Sequence, residues 1–147
     1  MLFRSLLDVN VLIALHDPRH IHHAFAITWL HDHAAAGWAS CPLTQNGCLR
    51  VMSQPAYSQP RALAELMPAL ARSCSSALHR FWPDDISLLD PGRLTPNRVH
   101  GHRQLTHLYL LALAVHHGGC FVSFDARVPL DAVTGARRAQ VVTLLGA

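Results

Sequence analysis

Two short apolar runs, far apart in the chain, each end on an aspartate. Together they restrict the fold more than any other feature of the sequence. The first run, Phe3-Arg4-Ser5-Leu6-Leu7, delivers Asp8 and is followed by further apolar sequence from Val9 to Leu15. A buried strand that carries an acid to its end has this form. Asp8 also suits a second use, because an aspartate ahead of a helix accepts a hydrogen bond from a free first-turn amide. The second run, Cys120-Phe121-Val122-Ser123, follows Gly118 and Gly119, which stop the preceding helix, and leads through Phe124 to Asp125. If the two strands are parallel members of one sheet, both acids emerge at its carboxyl edge, where open α/β sheets keep their ligand crevice. Converging carboxylates repel and raise the proton affinity of one of them. A divalent cation held by oxygen ligands removes that cost.

The intervening sequence predicts alternating elements. Val9 to Leu15 reads as a short helical stretch stopped at Asp17-Pro18. His22 or His23 to about Ala36 reads as a helix stopped by Gly37, and Trp38-Ala39-Ser40-Cys41 as a strand, which gives β-α-β order and parallel pairing. Pro42 opens a helix through Met52 whose first turn should face the crevice, so Gln45 or Asn46 is expected to reach a phosphate or a water on a cation. Glycine inside a helix costs about 1 kcal/mol relative to alanine, so Gly47 predicts a close approach by another element. Arg50 either meets a phosphate or pairs with a surface acid.

A further helix is expected from Pro60 through Leu70, bent or divided at Pro68. Phe81 to Asp85 reads as a turn, with Asp84 and Asp85 as turn formers, and Ile86-Ser87-Leu88-Leu89 as a short strand. Asp90 to Gly101 reads as a loop with room for one helical turn. The stretch from Arg103 to His117 is apolar on nearly every side, so it is expected to be a buried helix. His107 interrupts it, and a buried imidazole needs a carboxylate, a metal or a backbone carbonyl as partner. Gln140 to Leu145 is expected to form the last strand.

Composition narrows the class. The 147 residues suit one domain, residues 1–147, with one buried core. No run is apolar enough to cross a bilayer, and Met1-Leu2-Phe3-Arg4 lacks the features of a secretory signal, so a cytoplasmic location without a membrane partner is expected. Cys41, Cys48, Cys74 and Cys120 show no CxxC spacing and read as reduced core residues. The net charge is +3 and every basic residue is an arginine, whose planar fork suits phosphate. That permits a nucleic-acid partner without specifying one. The twelve histidines, among them His116 and His117, show no zinc-ligand spacing and read as solvated helix faces.

Four segments in order then resemble the PIN-domain ribonucleases, and within them the VapC-type toxins of bacterial toxin–antitoxin pairs. They are Leu7-Asp8-Val9-Asn10-Val11-Leu12, Pro42 to Val51, Gln104 to Ala114, and Val122-Ser123-Phe124-Asp125. The resemblance implies a three-layer α/β/α domain around a central parallel sheet, a Mg²⁺- or Mn²⁺-dependent endoribonuclease, a homodimer, and inhibition by a cognate antitoxin. This chain departs from the family pattern at two positions, with Gln45 in place of a glutamate and His107 in place of an aspartate. Asp8 and Asp125 remain, with Asn10 and Ser123 as polar companions. The expected site therefore joins Asp8, Asp125 and His107 around one cation, with His107 as third ligand or as the group orienting the attacking water. Asn10, Gln45, Arg50 and Ser123 contact substrate in this reading, and Arg50 and Arg103 steady the RNA backbone. With less negative charge, affinity for Mg²⁺ should fall, while Mn²⁺ or Zn²⁺ tolerates nitrogen better. Two rival readings follow: a degenerate member that binds RNA or an antitoxin-like partner without cutting, and a small-molecule phosphatase.

Overall fold

The structure is a computed structural model that describes residues 2–125 and 127–144. Strand β1 (Ser5–Leu7) runs straight into helix α1 (Val9–His16). Helix α2 (His23–Asp32) and a 3₁₀ turn (Ala34–Ala36) lead to β2 (Trp38–Ser40). Helix α3 (Pro42–Met52) and α4 (Leu63–Cys74) precede β3 (His79–Phe81). A long connection with a 3₁₀ turn at Pro96–Arg98 ends in a second such turn at His102–Gln104, which opens α5 (Leu105–His116). Strands β4 (Cys120–Ser123) and β5 (Val141–Thr143) complete the sheet.

The five strands pair in the order β3-β2-β1-β4-β5 and every pairing is parallel. Successive strand side chains point to opposite faces, and this alternation divides the core in two. Leu6, Ala39 and Phe121 pack with Leu110, Leu111, Leu113 and Ala114 of α5 on one face. Leu7, Trp38, Cys120 and Val122 pack on the other with Val11 and Leu12 of α1, Cys48 and Met52 of α3, and Leu66 of α4. The result is the expected three-layer α/β/α arrangement. α5 buries most of its surface, as its apolar sequence predicts, while α4 buries one stripe at Leu66 and Leu70.

Gly47 has the close neighbour its position predicts. A Cβ built there would lie 2.6 Å from Val9 Cγ2, so α3 crosses α1 at a distance only glycine permits. α1 is thereby held beneath the residue that begins it, Asp8.

The structure corrects three expectations. Ile86 to Leu89 is not a strand, and Leu89 is 91% exposed. The strand lies earlier, at His79–Phe81, where buried His79 satisfies its ring Nε2 on Ser40 Oγ at 2.8 Å and pairs in register with Trp38. The helix expected from Pro60 starts at Leu63, and it runs through Pro68 to Cys74 without division. The last strand spans Val141–Thr143, with Gln140 in a 3₁₀ turn, while Leu145 lies outside the described residues.

Candidate active site

β1 and β4 are adjacent, with Leu7 in register with Val122, so their carboxyl ends open at the same edge. Asp8 serves both uses the sequence allowed. Its backbone continues the sheet by donating to Val122 O at 2.9 Å, and its Oδ1 accepts from Val9 N at 2.8 Å as the cap of α1. Its other oxygen, Oδ2, accepts from Ser123 Oγ at 2.7 Å and lies 3.0 Å from His107 Nε2. The other ring nitrogen, His107 Nδ1, lies 3.8 Å from Asp125 Oδ2. One imidazole thus separates the two carboxylates, which meet at one rim as expected.

Each member of this trio is held by neighbours. Ser123 Oγ receives hydrogen bonds from Asp125 N at 2.9 Å and Asn10 Nδ2 at 3.2 Å while donating to Asp8, so it ties both aspartates together. Asn10 Oδ1 accepts from Phe124 N at 3.3 Å, which fixes the turn between Ser123 and Asp125. Arg127 donates to Asp125 Oδ1 through its backbone N–H at 2.9 Å and its Nε at 3.2 Å. Asp125 Oδ2, the oxygen turned towards His107, also accepts a hydrogen bond from Arg127 Nη2 at 3.4 Å.

The electrostatics follow from this geometry. The hydrogen bond from Arg127 holds the Asp125 carboxyl below its ordinary value, against a smaller opposing effect of burial. Contact with Asp8 raises the proton affinity of His107, and burial opposes it without cancelling it. Two carboxylates on one imidazole favour its cationic form. A divalent cation seated between the same oxygens would meet the same need, and the two carboxylates suit it by charge and hardness, whereas His107 turns a different ring nitrogen to each and occupies the place such an ion would take.

A basin of about 380 Å³ opens beside the trio, lined by His100, His102, Arg103, Gln104, His107, Asp125 and Arg127 among others. Arg103 was anticipated as a phosphate contact. His100, His102 and Arg127 were not, although the first two stand within two helical turns upstream of His107 and Arg127 follows Asp125 by two positions.

Four expected substrate contacts fall differently. Asn10 and Ser123 belong to the site, but their side chains are engaged in holding Asp8 and Asp125 rather than turned outward. Gln45 does not join the trio: its Nε2 donates to Ser40 Oγ at 2.9 Å, and it lines a separate groove with Met67, Leu70 and Cys74. The third residue after the helix's opening at Pro42 turns that way while its neighbour Thr44 is fully buried against Cys41. Arg50 is exposed, makes no ion pair or side-chain hydrogen bond among the described residues, and is absent from the basin lining.

No family model matches the chain. Ribonuclease VapC44 of Mycobacterium tuberculosis (strain ATCC 25618 / H37Rv) is 46% identical over 141 residues, which cover 96% of this chain and 99% of that protein. Ribonuclease VapC39 of the same strain is 41% identical over 132 residues, covering 89% of this chain and 95% of that protein. Ribonuclease VapC38 is 42% identical over 125 residues, or 84% and 86% of the two chains. Identity on this scale over most of the chain, together with the parallel α/β/α fold, establishes that the chain belongs to the VapC family of PIN-domain ribonucleases.

Proposed function

We propose that the chain is a metal-dependent endoribonuclease that acts as the toxin of a toxin–antitoxin pair. The observation that carries the reading is the meeting of Asp8, His107 and Asp125 at the mouth of a basin rimmed by Arg103 and Arg127. The relatives are named as ribonucleases, which favours cutting over binding alone, and basic side chains around the basin suit a polyanion better than a small phosphomonoester. Residues 1–147 form one PIN domain in this reading. A homodimer, a cognate antitoxin and a cytoplasmic location go with it, and no described helix is long and apolar enough to cross a membrane.

Mg²⁺ or Mn²⁺, held by Asp8 and Asp125, would supply Lewis acidity towards a phosphoryl oxygen and towards water. The chain's own residues do the rest. Arg103 and Arg127 bind the phosphate backbone and hold it over the carboxylates. His107, neutral once the ion balances the two carboxylates, orients the attacking water and takes its proton on a ring nitrogen, while the leaving oxygen takes a proton from solvent water as the P–O bond breaks. Ser123 and Asn10 hold both aspartates in place as positioning residues, and Arg127 pins the Asp125 carboxylate at both oxygens. Gln45 and Arg50 have no part in this mechanism.

The test is cleavage of a structured RNA by purified protein with Mg²⁺ or Mn²⁺, with and without chelator. Asp8→Asn keeps the size of the side chain and removes the charge. It is expected to abolish metal-dependent cleavage in vitro and toxicity in cells. Undiminished cleavage by folded Asp8→Asn protein would end the proposal.

A further inference from the structure

α5 carries His107 near one end and a pair of histidines at the other. In a continuing helix, consecutive side chains diverge by about 100°. Here α5 ends at His116, and His117 leaves helical geometry ahead of Gly118, whose φ is 71°. The two imidazoles therefore converge on a single carboxylate. His117 Nε2 lies 3.0 Å from Asp85 Oδ1, and His116 Nε2 lies 3.5 Å from Asp85 Oδ2. One ligand atom from each of the three residues lies within 4.8 Å of the other two, the only such trio found among the described residues.

The trio is braced from both sides. The His117 ring stacks on Trp82, with centroids 4.8 Å apart and planes 11° apart. Trp82 is itself buried against Gly119, the residue that follows the helix stop. On the other side, the neighbouring Asp84 accepts hydrogen bonds from Leu43 N at 3.2 Å and from the Tyr109 hydroxyl at 2.9 Å, which fixes the backbone that presents Asp85. The carboxyl end of a helix also favours a positive charge. Asp85 and His116 remain 40% exposed at their side chains, which leaves room for water to complete a coordination shell.

We propose that Asp85, His116 and His117 form a binding site for one borderline divalent transition-metal ion, of the zinc class. Two imidazoles and one carboxylate suit Zn²⁺, Co²⁺ or Ni²⁺ rather than Mg²⁺. In tetrahedral coordination at about 2.0–2.1 Å, donors sit roughly 3.4 Å apart, and both Asp85–histidine separations already approach that value. The two distances go to different oxygens of Asp85, and one ligand atom from each residue already lies within 4.8 Å of the other two. The ion would clip the loop after β3 to the end of α5, at the far end of that helix from the candidate active site. It would stabilise the folded chain by binding only when these elements are docked.

Isothermal titration of Zn²⁺ alone into the full, metal-free chain tests the site. One ion is expected to bind at this site beside any held by Asp8 and Asp125, with Asp85→Asn and His116→Gln each weakening it by on the order of tenfold or more. Asp8→Asn is expected to leave it intact, which separates this site from the one that cuts RNA. On the wild-type chain, Zn²⁺ should shift the imidazole NMR signals of His116 and His117 first, before those of His107 or the other histidines. No bound ion, unchanged affinity in folded Asp85→Asn, binding lost in Asp8→Asn, or first shifts at other histidines would each overturn the proposal.

Discussion

At the scale of single residues, His107 is the position that decides how the paired carboxylates treat a cation. An imidazole between two carboxylates neutralises them without an ion, so it competes with a cation for the same oxygens. An aspartate there would add a third oxygen ligand and remove the competitor. His107→Asp is therefore expected to lower the Mg²⁺ concentration for half-maximal RNA cleavage by on the order of tenfold, the equivalent of one charge interaction of about 1.4 kcal/mol. A wild type inert with both Mg²⁺ and Mn²⁺ beside an active His107→Asp would instead favour a binding role. Asp17 gives a second residue-scale prediction. Burial works to raise its proton affinity, but hydrogen bonds from the Tyr57 hydroxyl and Arg19 N, with His20 and His23 nearby, outweigh burial and lower it. A carboxyl with a depressed folded-state pKa stabilises the fold above its unfolded value, near 3.9, and loses that contribution as the pH falls through the folded value. Tyr57→Phe should cost roughly 1.5–3 kcal/mol at neutral pH and progressively less as the pH falls through the depressed folded-state value of Asp17. Urea unfolding at several pH values checks this, and a loss independent of pH would contradict it.

At the scale of elements, the crossing of α1 and α3 decides how well Asp8 is held. Gly47→Ala improves helix propensity by about 1 kcal/mol, yet its methyl meets Val9 at a distance no real contact allows. Overpacking of that kind costs roughly 1–3 kcal/mol. The variant is expected to be less stable by urea unfolding and slower in cleavage, because α1 must move with Asp8 at its head. A more stable variant would contradict the close packing. Most elements were legible in the sequence because their apolar residues carry a clear period or are bounded by glycine and proline. β3 was not, since His79 and Arg80 read as polar, and the burial of His79 depends on Ser40, a residue 39 positions away. Ile86 to Leu89 looked more like a strand but lies mostly at the surface, held by the turn in which Asp90 Oδ2 accepts from Ser87 N. The direction of Gln45 was equally hidden, because which face of α3 meets the crevice depends on how Gly47 seats that helix on α1.

At the scale of the whole molecule, parallel pairing of β1 with β4 brings residues 8 and 125 to one edge from opposite ends of the chain. The apolar runs and their terminal acids were enough to anticipate that meeting. The supporting cast was less legible: Arg127 and the histidines of the basin reach the site only through the path of the loops, which carries no periodic signal. If the two aspartates act as one unit, their losses must not add. The decisive measurement is kcat/KM for RNA cleavage by the wild type, Asp8→Asn, Asp125→Asn and the double variant. Each single substitution should cost at least about a hundredfold, with the double no worse than the more damaging single. Losses that multiply in the double variant, or an Asp125→Asn protein as active as the wild type, would contradict a shared site.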